Sequence, residues 1–240
     1  MRVPSPDAGF WAMKVLTTGM GETASDFLVR RLSPEVAVPA ALLVLVVALV
    51  VLLRAGRYRP ARYWSAALMV SVFGTMAADV LHVGIGVPYA VSTAGFALVL
   101  AVVFLLWRRV EGTLSVHAIT TLRREGFYWA TVMATFALGT AAGDLTATTL
   151  GLGWLGSGFL FLVLFALPGL VFTVTRRAAV ATFWTAYVVT RPLGASFADW
   201  SAVPGWRGGL GLGTGPVTAA LLAVFAVALV VLTTRARRSR

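Results

Sequence analysis

Residues 63–79 read YWSAALMVSVFGTMAAD, and the pattern in this stretch occurs four times in the 240-residue chain. Each copy has an aromatic residue before a Trp, a Gly ten residues after that Trp and an Asp fifteen residues after it. Such self-similarity is typical of a protein built from tandem structural units. The four copies are Phe10-Trp11…Gly21…Asp26, Tyr63-Trp64…Gly74…Asp79, Tyr128-Trp129…Gly139…Asp144 and Phe183-Trp184…Gly194…Asp199.

The composition indicates a membrane protein, since 59% of the residues are hydrophobic, only 12% are charged and the mean hydropathy is +0.87. An uncharged run long enough to cross a bilayer follows each copy of the pattern. These runs are 36–53, 90–107, 155–175 and 216–232. We therefore expect an all-α membrane protein with eight transmembrane helices, arranged as four two-helix repeats. Residues 1–240 would form a single transmembrane domain, with repeats at about 8–54, 61–108, 126–176 and 180–233.

The formal charge of +11 is a topology signal, because the basic residues cluster between the repeats. Fifteen of them lie on one side of the predicted membrane, against Arg30, Arg31 and Arg207 on the other. The positive-inside rule predicts a multi-pass protein of a bacterial-type cytoplasmic membrane, with both termini in the cytoplasm. This distribution argues against nucleic acid as a partner and makes the lipid bilayer the expected one. The fifteen are Arg2, Arg54, Arg57, Arg59, Arg62, Arg108, Arg109, Arg123, Arg124, Arg176, Arg177, Arg235, Arg237, Arg238 and Arg240.

The spacing within the repeat predicts how the helices pack. The residue four after each repeated Gly is small, and this small-xxx-small pattern lets two helices approach closely. We expect Gly21, Gly74, Gly139 and Gly194 to lie at contacts between first helices, around a pseudo-fourfold axis. The uncharged second helices would then face lipid. Trp residues beside basic loops are typical of interface anchors, a role predicted for Trp11, Trp64, Trp129 and Trp184.

The repeated Asp is the main functional signal, because ionisable residues inside a membrane are costly and mark ion or proton pathways more often than not. We expect Asp26, Asp79, Asp144 and Asp199 to face one another at one depth, with Glu22 one helical turn away. Two basic residues, Lys14 and Arg191, lie inside the same helices and are predicted counter-ions. Five acids against two bases leave an excess of negative charge for protons or a cation.

A metal site is a second hypothesis. His82 follows Asp79 by three residues, on the same helical face, and Glu22 precedes Asp26 by four. These oxygen-rich ligands, in a chain with no cysteine, suit Mn²⁺ or Mg²⁺ better than a softer metal. A divalent ion of this kind is the only cofactor that the sequence suggests, with Asp79, His82, Glu22 and Asp26 as its ligands.

The four-unit pattern resembles an uncharacterised bacterial family of membrane proteins, built from four tandem copies of a repeat of unknown function. The resemblance spans essentially the whole chain. It is most specific in FWAMKV at 10–15, in GETASDF at 21–27 and in RPLGASFADW at 191–200. It implies the eight-span fold and the membrane location, and it brings no assigned activity.

From the residues we expect a cation transporter, which could export a divalent metal such as manganese in exchange for protons. Transport of an organic cation or another small molecule is the first alternative. The second is a scaffold or sensor that transports nothing, whose carboxylates form a structural polar lock with Lys14 and Arg191. No catalytic triad, paired-histidine motif or nucleotide fingerprint occurs, so we do not expect an enzyme. The oligomeric state is left open.

Overall fold

The computed structural model describes residues 2–175 and 179–238, and all regular structure in these ranges is helical. The fold is therefore all-α, as predicted. Arg176, Arg177 and Arg240 of the charge count, and the predicted end of the third repeat at residue 176, lie outside the described residues. The eight long helices are α1 (Ala8–Leu32), α2 (Pro34–Leu53), α3 (Pro60–Asp79), α4 (Tyr89–Glu111), α5 (Leu122–Asp144), α6 (Gly153–Thr175), α7 (Ala179–Ala202) and α8 (Thr214–Arg238).

Local signals explain several helix boundaries. The Asp7 carboxylate accepts a hydrogen bond of 2.8 Å from the backbone N–H of Phe10 and so caps α1. Helices α2 and α3 begin at Pro34 and Pro60, at a position where a missing N–H costs nothing. Helix α4 ends at Glu111 because the next residue, Gly112, takes a φ of +71°. Because these connections are short, consecutive helices run antiparallel.

The first helices of the four repeats form a closed inner ring. Helix α1 packs on α3, α3 on α5, α5 on α7, and α7 back on α1. The repeated Gly lies at each crossing: a Cβ on Gly74 would come within 2.9 Å of the Phe136 Cβ, and one on Gly194 within 2.8 Å of the Thr18 Cβ. A Cβ on Gly21 would overlap Ser71, and one on Gly139 would overlap Arg191. The four glycines therefore set how closely the inner helices approach.

The second helices form an outer ring that is offset by one unit. Helix α2 packs mainly on α3, α4 on α5, α6 on α7, and α8 on α1, so each outer helix covers the inner helix of the next repeat. The outer surfaces are apolar and exposed, with Leu43, Leu98 and Val227 each 66% exposed. An apolar surface of this extent is what a lipid-facing helix presents.

Five helical segments of the described chain are long and apolar enough to cross a membrane: Pro34–Leu53, Pro60–Gly84, Tyr89–Glu111, Gly153–Thr175 and Thr214–Ala236. They include all four outer helices. The other long helices, α1, α5 and α7, have similar lengths and carry more polar residues. Because the bundle shields these inner helices from lipid, their polar side chains are buried against protein.

The bundle has two chemically different ends. The basic end carries the N-termini of the inner helices and the α2–α3 and α4–α5 connections. The opposite end carries the repeated Asp residues, and we call it the acid end. Helices α3 and α5 end at Asp79 and Asp144, and each continues there into a π-helical turn, Val80–Gly84 or Leu145–Thr149. Such turns occur frequently at functional sites.

The prediction of interface anchors is wrong for three of the four tryptophans. Trp64, Trp129 and Trp184 are only 1%, 6% and 5% exposed and pack inside the bundle at its basic end. The indole of Trp184 also donates a hydrogen bond of 2.9 Å to the backbone carbonyl of Leu114. An indole has a large apolar area to bury, and the clefts between inner and outer helices accommodate it. Trp11 is half-buried, and its role as an anchor stays a prediction.

The glycine crossings give a direct prediction. Replacing Gly139 by Leu should lower the free energy of unfolding by about 1–3 kcal/mol or more, because the new side chain would overlap Arg191 and Pro192. The control is Leu at Gly95 of α4, where an added Cβ meets no atom within 4 Å. Thermal unfolding in detergent compares the two variants. Equal melting temperatures would show that the inner crossings are not tightly packed.

Candidate functional site

Tyrosine side chains close the axis at the basic end. Tyr63 and Tyr128 are the residues that precede the repeated Trp in α3 and α5, and they face the axis together with Tyr187 of α7. The Tyr63 and Tyr128 hydroxyls share a hydrogen bond, and Tyr128 donates a further one, of 3.4 Å, to the Tyr187 hydroxyl. Each of the three side chains is 1% exposed. This layer therefore closes the inner ring on the basic side.

Lys14 lies one turn further along the axis and does not pair with an acid. Its ammonium is 4.1 Å from the centre of the Phe136 ring and 4.3 Å from that of Tyr187. The residue is 1% exposed, and within residues 2–175 and 179–238 its Nζ has no hydrogen-bond partner. The predicted counter-ion role of Lys14 is therefore wrong. The physical reason is the distance to Glu22, two helical turns further along α1, where Arg191 takes the carboxylate instead.

Arg191 of α7 lies at the centre of the inner ring and contacts the other three inner helices. From α7, its guanidinium forms an ion pair with Glu22 of α1 and donates hydrogen bonds to the hydroxyls of Thr75 in α3 and Thr140 in α5. It also donates to the backbone carbonyl of Thr18 at 3.3 Å. The Arg191 side chain is fully buried. Arg191 is thus the counter-ion that the sequence predicted, and its partner is on a different repeat.

The positions around Arg191 follow the repeat. Glu22, Thr75 and Thr140 each come directly after the repeated Gly, and the fourth residue at this position is Ala195. Sequence reasoning identified Glu22 and did not predict that Thr75 and Thr140 bind Arg191. The signal was present, since all three share one register and therefore one depth on parallel helices. A comparison of the repeats position by position would have found them.

Asp26, Asp79, Asp144 and Asp199, which we call the acid ring, lie at equivalent positions just over one turn beyond this centre, at the acid end. Asp26 is 28% exposed and forms an ion pair of 2.9 Å with Arg30 at the rim. Asp199 is 8% exposed, and Asp79 and Asp144 are half-buried. In the described part of the chain, Asp79, Asp144 and Asp199 have no basic side chain within 4.0 Å.

Glu22 connects the acid ring to the Arg191 centre, because its carboxylate pairs with Arg191 and it lies one helical turn before Asp26 on the same helix. Carboxylates that lie close together bind cations as a group rather than separately.

The predicted metal quartet is not assembled. His82 lies within the π-helical turn that follows Asp79, where its Nδ1 is 3.3 Å from both the Val87 carbonyl and the Ser92 hydroxyl. Its ring contacts that of Tyr89 in a tilted arrangement, with the ring centres 4.4 Å apart. Across the described residues, no group of three or more His, Asp or Glu side chains is arranged to hold a metal ion. The local hydrogen bonds of His82 explain why Asp79, His82, Glu22 and Asp26 do not converge.

The comparison with protein families gives one match, in four consecutive segments: residues 9–58, 62–113, 127–178 and 182–238. The family is described as "Repeat of Unknown Function (DUF347)". Each segment contains one inner and one outer helix, so the family repeat and the structural repeat coincide. The comparisons with curated proteins and with solved structures gave no match. Since the segments cover most of the chain, the protein belongs to this family.

The two buried bases give opposite predictions for the same substitution. Lys14→Met removes an ammonium without an acceptor, so we expect an unchanged unfolding free energy or a gain of about 1–3 kcal/mol. Arg191→Met leaves the Glu22 carboxylate unpaired and should cost about 3–5 kcal/mol. Thermal unfolding of both variants in the same detergent measures the difference. A Lys14→Met variant as unstable as Arg191→Met would mean that Lys14 has a strong partner.

Proposed function

We propose that this member of the DUF347 repeat family is a transporter of a small cation, coupled to protons, in which the acid ring binds the cation. One observation carries the proposal: Asp79, Asp144 and Asp199 have no basic partner in the described chain, although they lie within an eight-helix membrane bundle. A carboxylate without compensation is unfavourable at low dielectric, so these groups require protons or a cation.

The arrangement along the axis supports transport over a purely structural role. The Asp26 side chain is partly accessible at the acid end, whereas Arg191, Lys14 and the tyrosine layer fill the axis toward the basic end. A site open to one side and closed to the other is the arrangement that alternating access requires. A structural polar lock accounts for the Glu22–Arg191 pair, but it leaves the three remaining acids without a role.

Within this proposal, protons are the coupling ion, because carboxylates bind protons and cations at the same oxygens. The sequence favoured a divalent metal such as Mn²⁺ as the cargo. Since the predicted ligands are not arranged as a metal site, the proposal specifies a small cation and includes metals among the ions to be tested. An organic cation is the alternative cargo.

The transport experiment uses protein reconstituted into liposomes that contain a pH-sensitive dye. Addition of Mn²⁺, Mg²⁺, Na⁺, K⁺ or methylammonium should drive proton movement for at least one of these ions. Asn at both Asp79 and Asp144 should abolish the movement while the melting temperature stays near that of the unmodified protein. Glu35→Gln is the matched control, because Glu35 is an exposed acid at the same end, outside the ring.

Two results would contradict the proposal. One is unchanged transport by the Asp79→Asn/Asp144→Asn variant, and the other is no transport of any of the five cations by the unmodified protein. Thermal stability offers a parallel measurement: the transported cation should raise the melting temperature more as the pH rises from 5 to 9, since fewer protons then compete. The double variant should lose this gain.

The orientation that we propose places the basic end and both termini in the cytoplasm of a bacterial-type inner membrane. The chain has no cysteine, so a single introduced thiol reports one site. Cysteine at Ile85, which is 68% exposed at the acid end, should react with an impermeant thiol reagent added to intact cells. Cysteine at Thr120, exposed at the basic end, should react only after the membrane is opened. The reverse pattern would overturn the orientation.

A further inference from the structure

We propose that Glu22, Thr75 and Thr140, with the backbone carbonyl of Thr18, form a second cation site, which Arg191 occupies as a tethered cation in this state. This inference rests on the proposed function and names a class of cargo for it, a compact monovalent cation. The four oxygens come from three inner helices and converge on the Arg191 guanidinium. We refer to them as the oxygen cage.

The hydroxyl groups of the cage face the axis as acceptors. Thr75 donates its hydroxyl proton to the backbone carbonyl of Ser71 at 2.9 Å, and Thr140 donates its own to that of Phe136 at 3.1 Å. A hydroxyl has one proton, so the remaining lone pairs of both oxygens are directed to Arg191. The cage therefore offers acceptors only, which is the chemistry that a cation requires.

The fit between the cage and the guanidinium is uneven. The carboxylate of Glu22 and the hydroxyls of Thr75 and Thr140 all contact one nitrogen, Nη2, which has only two hydrogens. The Nε–H of Arg191 is buried and has no hydrogen-bond partner in the described residues. Three oxygens around one atom suit an ammonium group or an alkali-metal ion better than a planar guanidinium group.

The charge of the cage selects a monovalent cation. Glu22 is its only ionised group, and the other three ligands are neutral oxygens. One carboxylate balances one positive charge, whereas sites for divalent ions use several carboxylates or keep bound waters. An ammonium group and an alkali-metal ion share this requirement, and the experiment below distinguishes them.

Arg191 is attached next to a break in the hydrogen bonding of α7. Pro192 follows it inside α7, where the missing backbone N–H removes one helical hydrogen bond. Gly139 and Gly143 of α5 pack directly against Arg191 and Pro192. Exchange of Arg191 for a cation from the acid ring therefore requires a local rearrangement of α7 at this proline.

The test removes the tethered cation and supplies a soluble one. Arg191→Ala protein is prepared and unfolded with Na⁺, K⁺, methylammonium or guanidinium at equal ionic strength. We expect at least one of these ions to raise the melting temperature saturably, by about 5–10 °C at a hundredfold excess over its Kd. Recovery of folded protein only when such an ion is present during purification counts as the same result. Tetramethylammonium, whose methyl groups keep its charge away from the cage oxygens, should have no effect.

The Arg191→Ala/Glu22→Gln variant is the matched control and should lose the response. A preference for methylammonium assigns the cage to an ammonium group, and a preference for Na⁺ or K⁺ assigns it to an alkali-metal ion. A response that persists without Glu22, or no response to any ion in any preparation, overturns the proposal.

A second variant tests the cage while Arg191 is present. Valine has the shape of threonine without its hydroxyl, so Thr75→Val/Thr140→Val removes two of the cage oxygens and keeps the ion pair. The apparent affinity for the transported cation should fall at least tenfold, whereas Thr135→Val, a buried α5 threonine that bonds only its own helix, should not change it. Unchanged affinity argues against the cage. If transport by such a protein still requires Asp79 and Asp144, the proposed role of the acid ring holds and only the oxygen cage is rejected.

Discussion

The fold depends on one buried charge, the guanidinium of Arg191. It contacts polar groups of the other three inner helices, and its ion pair with Glu22 joins the last repeat to the first. Removing water from both charges is costly, and hydrogen bonds to Thr75 and Thr140 offset part of that cost. The glycines permit the close approach that these contacts need, because the stem of Arg191 passes directly over Gly139. Packing and electrostatics at the centre therefore require each other.

This arrangement divides the acids of the axis into those that are paired with a base and those that are not. The Glu22–Arg191 pair is internally balanced, and the Asp26–Arg30 pair is balanced at the rim. Asp79, Asp144 and Asp199 remain as the repeated Asp residues with no basic side chain within 4.0 Å in the described ranges. Since Glu22 pairs with Arg191 and lies one helical turn from Asp26, it joins the paired charges to the ring.

The repeat made the packing of the inner ring predictable, but it did not predict all the side-chain contacts on the axis. Gly21 and its three equivalents could be placed at helix crossings because the spacing defines a helical face. The second helix of each repeat could be placed against lipid because it carries no charge. The partner of Lys14 could not be predicted, since two aromatic rings from other repeats surround it instead of an acid. Trp64 was misplaced because a Trp beside a basic loop fits both a lipid interface and a protein core. The offset packing of the outer helices has no signal within one repeat, because it depends on contacts between repeats.

That offset has a consequence for how such a chain can be built. Each outer helix covers the inner helix of the following unit, and α8 returns to cover α1, so the order of the units is cyclic. A homotetramer of one helical hairpin could make the same contacts, with the outer helix of each subunit packed on the inner helix of its neighbour. The single chain is equivalent to that tetramer with its subunits fused. Fusion allowed the four copies to diverge, so that one position on the symmetry axis could carry Arg in a single unit, which a symmetric assembly of identical subunits could not accommodate.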